Sequence, residues 1–315
     1  ATYGPRVPMI LVEPSATNLI PNSSSFENVN GSVKSTGFDA PDGSNDAQKI
    51  SNINGATDPN VAWSSLASLS PSTEYSGSIF VKGNAGESIR FYLRRAFGGA
   101  MANSPFLNVV LTGSWQRVEI GSMTTASDNN NGRVFIFQAS SGTPADEVYL
   151  WGAQIELGSV STSVIPTSGS TVTRAADEIS IDGTAFTDFF NTGGDGTFYL
   201  ELVPTDILKT IRLLTGYGGS SSELILYTNN NSSQVQSWDG TNGENYGPAI
   251  DSQVNRIAFS YSSTAMKGSI NGASEQSENH DGSFSGKTSI YLGRYTTVPI
   301  HYKRLIYWPY HSDSL

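Results

Sequence analysis

The stretch VYLWGAQIEL, Val148 to Leu157, decides how the chain reads. Successive side chains of a strand point to opposite faces. On that rule Tyr149, Trp151, Ala153, Ile155 and Leu157 share one side of an extended segment. The period-two pattern recurs outward in both directions. Before it come Tyr75 to Lys82, Ser88 to Phe97, Trp115 to Ile120 and Arg133 to Ala139. Ser88 to Phe97 sets Ile89, Phe91 and Leu93 against Arg90, Tyr92 and Arg94. After it come Glu178 to Ile181, Thr197 to Val203, Ile211 to Thr215, Leu224 to Tyr227, Val235 to Trp238, Arg256 to Tyr261, Gly268 to Ile270, Ser289 to Gly293 and Lys303 to Trp308. The best helix candidate is a turn or two over Thr184 to Phe190. Many short strands between turn signals predict an all-β chain of consecutive antiparallel β-sandwiches.

Composition agrees. The 315 residues are 37% hydrophobic and 15% charged, with 32 Gly and 14 Pro. Gly supplies positive φ, and Asn or Ser closes turns through side-chain hydrogen bonds. Turn chemistry sits at Gly83 to Gly86, Asn229 to Asn231 and Asp239 to Gly243. The net charge of −10 argues against nucleic acid as a partner, since phosphate binding needs a basic patch. Cys is absent, which removes disulfides, thiol nucleophiles and Cys-based zinc sites. No apolar run approaches the ~20 residues that span a bilayer, so no membrane insertion is expected. The first eight residues carry no leader pattern.

The length suits two domains. Residues 1–25, Pro-punctuated and apolar around Met9 to Val12, read as an extended assembly segment. Residues 26–158 form the first domain. Residues 159–173, rich in Ser, Thr and Gly, read as a linker, and 174–315 form the second domain. No period of 20–50 residues indicates a solenoid or propeller.

Several phrases resemble those of bacteriophage structural proteins. LVEPSATNLIPNSSSFE (Leu11 to Glu27) resembles the entry to a carbohydrate-binding-module-like jelly roll. APDGSNDAQKI (Ala40 to Ile50), LSPSTEYSGSIFVKG (Leu69 to Gly83) and the run from Val148 to Ile181 resemble later parts of that domain. The second half is similar to a concanavalin-A-like, laminin-G-like lectin sandwich, through NRIAFSYSSTAMKGSINGA (Asn255 to Ala273) and Ser289 to Leu315. The resemblance implies a jelly roll followed by a lectin sandwich. It implies a virion appendage, a fibre or tail component built as a homotrimer, meeting host-surface polysaccharide or lipopolysaccharide and other virion proteins. Two features depart from it. No Trp follows the Asn-Leu phrase, where FENVNGSV stands (Phe26 to Val33). The Glu-x-Asp-x-x-Glu strand of concanavalin-like glucanases is missing.

Catalytic groups were sought residue by residue. Paired carboxylates need a cleft at a set separation. Glu201 and the Asp146–Glu147 pair read as strand or edge charges. The three histidines, His280, His301 and His311, lack a nucleophile elbow, since GSFSG (Gly282 to Gly286) misplaces its serines. No cofactor is expected. A structural Ca²⁺ is the one candidate, at SDNNNG (Ser127 to Gly132) or around Asp42 and Asp46. Sugar recognition needs aromatic faces for the C–H side of a pyranose and polar groups for its hydroxyls. Candidates are Trp63, Tyr92 and Arg94 in the first domain and Tyr217, Tyr227, Trp238 and Tyr246 in the second. Trp115 and Trp151 read as core. The expected function is therefore non-enzymatic glycan recognition on a virion. A capsid-decorating or neck protein without a glycan ligand is the first alternative, and a glycan-degrading lyase or hydrolase the second.

Overall fold

A computed structural model describes residues 9–28, 31–57, 60–94, 106–128, 130–139, 141–190, 194–218, 223–229, 232–240, 243–278, 286–312 and 315. The chain is all-β and forms two compact units. One is Ser15–Ala175; the other joins Ala1–Pro14 to Ala176–Leu315. They are called the inner and outer units below, by their place along the chain.

The inner unit is a sandwich of two sheets, antiparallel but for the short parallel pairing of Thr143–Pro144 with Glu87–Arg94. One runs Leu107–Val110, Glu87–Arg94, Asn131–Gln138, Asn60–Ser64, Phe26–Asn28, and Thr143–Pro144 and Ala67–Ser68 add short pairings to it. The other runs Gln116–Thr124, Glu74–Lys82, Glu147–Leu157, Ala47–Ser51, Val33–Phe38. Ile89, Phe91, Leu93, Val134 and Ile136 from the first sheet meet Ile79, Val81, Val118, Val148, Leu150 and Ile155 from the second. Each such buried side chain contributes roughly 1.5–3 kcal/mol. The expected alternation of Ile89, Phe91 and Leu93 against Arg90, Tyr92 and Arg94 holds through Arg94; residues 95–97 lie outside the described set.

The deciding strand departs from simple alternation. Trp151 pairs with Phe80 but Gln154 pairs with Ser78, so the strand holds one extra residue there. Gly152 takes φ +63°, a conformation open to glycine. The bulge exchanges the faces. Val148, Leu150, Ala153 and Ile155 enter the main core. Tyr149 and Trp151 point to the other side, and Leu157 is 70% exposed. Trp151 is fully buried, but in a satellite cluster with Ala40, Ala47 and Phe80. Its Nε1 donates to Asp46 at 2.8 Å. Trp115 packs half-buried on the same cluster.

The expected linker is structured as part of the inner unit. Glu156 accepts from the Thr162 amide and hydroxyl at 2.6 and 2.7 Å. Gln154 accepts from the Ile165 amide at 2.7 Å. Asn18 donates to the carbonyls of Ala153 and Ile165. Val172–Arg174 then pairs with Ala16–Asn18. Serine, threonine and glycine content read as a linker, yet these hydroxyls and amides close bonds against a sheet.

The expected assembly segment is likewise divided. Ile10–Val12 is an edge strand of the outer unit, paired with Ile300–Trp308. Ala16–Asn18 belongs to the inner unit.

The outer unit stacks two six-stranded sheets. One runs Ile10–Val12, Ile300–Trp308, Gly196–Pro204, Asn255–Tyr261, Met266–Ile270, Gln276–Glu278. The other runs Ile179–Asp182, Ser289–Leu292, Ile211–Tyr217, Leu224–Thr228, Gln234–Trp238, Gly243–Ala249. Phe198, Leu200, Ile257 and Phe259 face Leu214, Leu226, Val235 and Ile290 across the core. Gly243–Ala249 was hidden in sequence by Gly, Asn and Pro, which read as turn. The helix Gly183–Phe189 opens at Gly183 with φ +55° and buries Phe186, stacked on Phe190 at 4.9 Å. No helix among the described residues is long and apolar enough to cross a membrane.

Candidate functional site

Of the groups weighed for catalysis, Glu201, Asp146, Glu147 and His311 are engaged in structural bonding. Glu201 is buried among Arg256 (3.5 Å), Lys303 (3.4 Å) and Arg304 (4.0 Å), and accepts from the Tyr199 hydroxyl at 2.9 Å. Burial pushes its pKa up, but the hydroxyl and the cations outweigh that and hold it below the usual range. Asp146 accepts from the Asn54 amide at 2.9 Å, and Glu147 pairs with Lys49 at 3.3 Å. His311 Nδ1 meets Ser260 Oγ at 2.8 Å, while His280 lies outside the described residues. Asp42 accepts from the Ser44 amide, and Asp46 from Ser44 and Trp151. Among the described residues no group of three or more acidic or histidine side chains could hold a metal ion; SDNNNG is only partly described, Asn129 lying outside.

Two outward sheet faces gather the sugar-binding candidates. On the inner unit, antiparallel register lines up Glu27, Trp63, Phe135 and Tyr92 across four strands. Phe106 closes on Tyr92 at 4.4 Å, and Phe137 at 4.6 Å. Guanidinium groups cover the rings: Arg94 lies over Phe135 at 5.3 Å, Arg90 over Phe106 at 4.8 Å and Arg133 over Trp63 at 5.5 Å. Trp63, Tyr92 and Arg94 are thus together on one face. Tyr92 is only 3% exposed, however, and Phe135 and Phe137 are buried too. Tyr92 is therefore not the outward platform expected, because its neighbours' rings fill the space above it.

On the outer unit, Tyr217 lines a cavity of about 640 Å³. The cavity is formed by Ile179–Asp182, the start of the helix, Ile211–Tyr217 and Ser289–Leu292. Tyr217 and Tyr291 stand 6.2 Å apart with planes at 81°. Thr184, Thr187, Thr288 and Ser289 add hydroxyls to the wall, and Asp182 and Lys287 add one charge of each sign. Arg294 lies 4.0, 4.5 and 4.7 Å from the rings of Tyr217, Tyr291 and Tyr295. Glu223 joins Arg294 (3.5 Å) to Arg212 (2.7 Å), and Arg212 lies over Tyr295 at 5.2 Å. Tyr295 is held at φ +56° in the turn closed by the Thr296 amide to Gly293, and is 66% exposed. A left-handed tyrosine costs roughly 1–2 kcal/mol; here the turn sets its ring beside Arg294.

Tyr227 and Trp238 lie on this same outward face, Tyr227 half-buried and its pKa raised by that burial. Tyr246 does not. It is fully buried in the core, its hydroxyl 2.8 Å from Ser237 Oγ. Its strand's inward positions take it there. Sequence reasoning missed Tyr291, Arg294 and Arg212. Tyr291 carried a signal, since it alternates with Ile290 and Leu292; the arginines carried none.

No protein-family model matches the chain, and no curated protein matches it. Solved structures do. A tandem CBM22-1–CBM22-2 domain of Paenibacillus barcinonensis Xyn10C matches at 8% identity, over 98% of this chain and 100% of that one, with a TM-score of 0.32. Mouse laminin α1 domains LG4-5 match at 11% identity, over 88% and 81%, with a TM-score of 0.27. The CBM22-1–GH10 modules of a Clostridium thermocellum endo-1,4-β-D-xylanase, complexed with xylohexaose, match at 16% identity with a TM-score of 0.33. That match spans 49% of this chain and 30% of the xylanase chain. These scores are too low to assign a family or a ligand.

Proposed function

We propose that this chain is a non-enzymatic glycan-binding component of a bacteriophage appendage, a fibre or tail part. In this reading it meets host-surface polysaccharide or lipopolysaccharide through the outer unit. One observation carries the binding half: the cavity whose wall includes the edge-to-face pair Tyr217 and Tyr291. Two aromatic walls at right angles suit the C–H faces of a pyranose, and the surrounding hydroxyls and charges suit its hydroxyl groups. Its volume lies within the ~300–1,000 Å³ common for small-ligand sites. The virion half is supported by the phrases at Leu11 to Glu27 and Val148 to Ile181. Weak single-site contacts are multiplied if the chain acts as a homotrimer. The engagement of Glu201, Asp146 and Glu147 in ion pairs and backbone bonds supports a non-catalytic reading.

A glycan array with the intact protein and with Tyr217→Ala tests it. Binding to bacterial surface glycans, lost in the variant, is expected. Silence on the array together with tight binding to purified particles would replace it with a decorating role. Release of reducing or unsaturated ends from a bound polysaccharide would replace it with an enzyme. Light scattering on the intact chain checks the trimer, and a strict monomer at micromolar concentration counts against a fibre.

A further inference from the structure

On the outer unit, antiparallel register places Tyr291, Thr215, Ile225 and Trp238 in one row across four neighbouring strands. The row belongs to the outward face. Its alternating neighbours Leu292, Leu214 and Leu226 are core, and so is the Ser237–Tyr246 contact. Trp238 is 37% exposed and sits opposite Gly243. A Cβ at Gly243 would come 3.2 Å from the indole Cε3. The ring therefore lies down over the glycine rather than standing off the sheet. An indole in that posture offers a flat face, as the tyrosines do at the cavity. Three strand spacings, ~14 Å in all, separate Trp238 from Tyr291. Between them the Arg212–Glu223–Arg294 ion-pair network provides donors and acceptors.

We infer that this face binds a linear glycan chain laid across the strands, with one end in the Tyr217–Tyr291 cavity and a later sugar on Trp238. This rests on the glycan-binding reading above and adds that the ligand is a polymer segment, not a terminal sugar. The probe is the array-positive polysaccharide, cut to size-defined oligomers of one to eight sugars, titrated calorimetrically against the intact protein. Affinity should rise with length and level off once the chain reaches Trp238. Trp238→Ala should remove that late rise, about tenfold, the equivalent of ~1.4 kcal/mol, while leaving the shortest binding oligomers within about twofold. Tyr217→Ala should weaken every length. Affinity independent of length, or a Trp238→Ala curve that matches the parent, overturns the inference and leaves the cavity reading standing. Unchanged binding in Tyr217→Ala at every length overturns the cavity reading itself.

Discussion

The outward sheet faces of the two units use the same residue types for different ends. On the inner unit, Trp63, Phe135, Tyr92, Phe137 and Phe106 stand side by side, and Tyr92, Phe135 and Phe137 are buried among them. On the outer unit, the Arg294 guanidinium lies against the rings of Tyr217, Tyr291 and Tyr295, and Trp238 faces a glycine. The first arrangement makes a second small core. The second borders a cavity and leaves Tyr295 and Trp238 exposed. Aromatic content alone does not mark a binding surface; what stands opposite each ring across the strands does.

If the inner face is a core, truncating it should cost stability and not binding. Phe135→Ala should lower unfolding free energy by roughly 3–5 kcal/mol, the range for a buried phenylalanine. A urea titration measures this, and glycan affinity of the folded protein should stay unchanged. A small loss of stability with a large loss of binding would make the inner face a ligand platform and erase the contrast.

The bulge at Gly152 sharpens the same point on the other inner sheet, where it sends Trp151 away from the main core. Gly152→Ala places a Cβ at φ +63°, 3.2 Å from Val164 Cγ2. The expected cost is about 1–2 kcal/mol, seen as a lower urea midpoint with an unchanged slope. An unaltered midpoint would mean that the strand can shed its extra residue.

For the outer face the expectation reverses. Tyr217→Ala should lower glycan affinity about tenfold, or ~1.4 kcal/mol. Its thermal midpoint should move little, because a half-exposed side chain away from the core contributes within about 0.5 kcal/mol. A large stability loss would place Tyr217 with the inner-unit rings after all.

Fold class was legible because period-two alternation needs only local reading, and turns between strands are written in Gly, Asn and Ser. What escaped required contacts far apart in the chain. One residue of bulge moved Trp151 across the sheet, and its signal was a single glycine in an apolar run. The segment at 159–173 looked like a linker because it is rich in Ser, Thr and Gly, while its partner Asn18 lies far back in the chain. Trp63, Tyr92 and Arg94 were candidates in the sequence, but the burial of Tyr92 depends on Phe106, Phe135 and Phe137 from outside its strand. Tyr246 looked solvent-facing beside its glycines until the edge strand Gly243–Ala249 turned it inward. Arg294 and Arg212 came from a loop and a strand end, where no periodicity applies.

Two buried carboxylates carry the contrast between the units into pH dependence. Burial raises the pKa of Glu156, and the bonds from Thr162 only partly offset that. Glu201 is also buried, but Tyr199 and Lys303 outweigh the burial and lower its pKa. For Glu156 the folded state binds its proton more tightly than the unfolded chain. Its ionisation therefore costs stability as pH rises from the usual glutamate range through the raised folded value. For Glu201 the unfolded chain binds the proton more tightly. Its stabilisation is present above the usual range and is lost as pH falls through the depressed folded value. Glu156→Gln should flatten the stability–pH curve on the neutral side of pH ~4.3, the usual glutamate value, and Glu201→Gln on the acid side. Each effect should be confined to its own side of that pH. Urea unfolding across pH for the two variants measures both. If Glu201→Gln changed the neutral side instead, its cations would not be compensating its burial, and the outer unit would be treating its carboxylate as the inner one does.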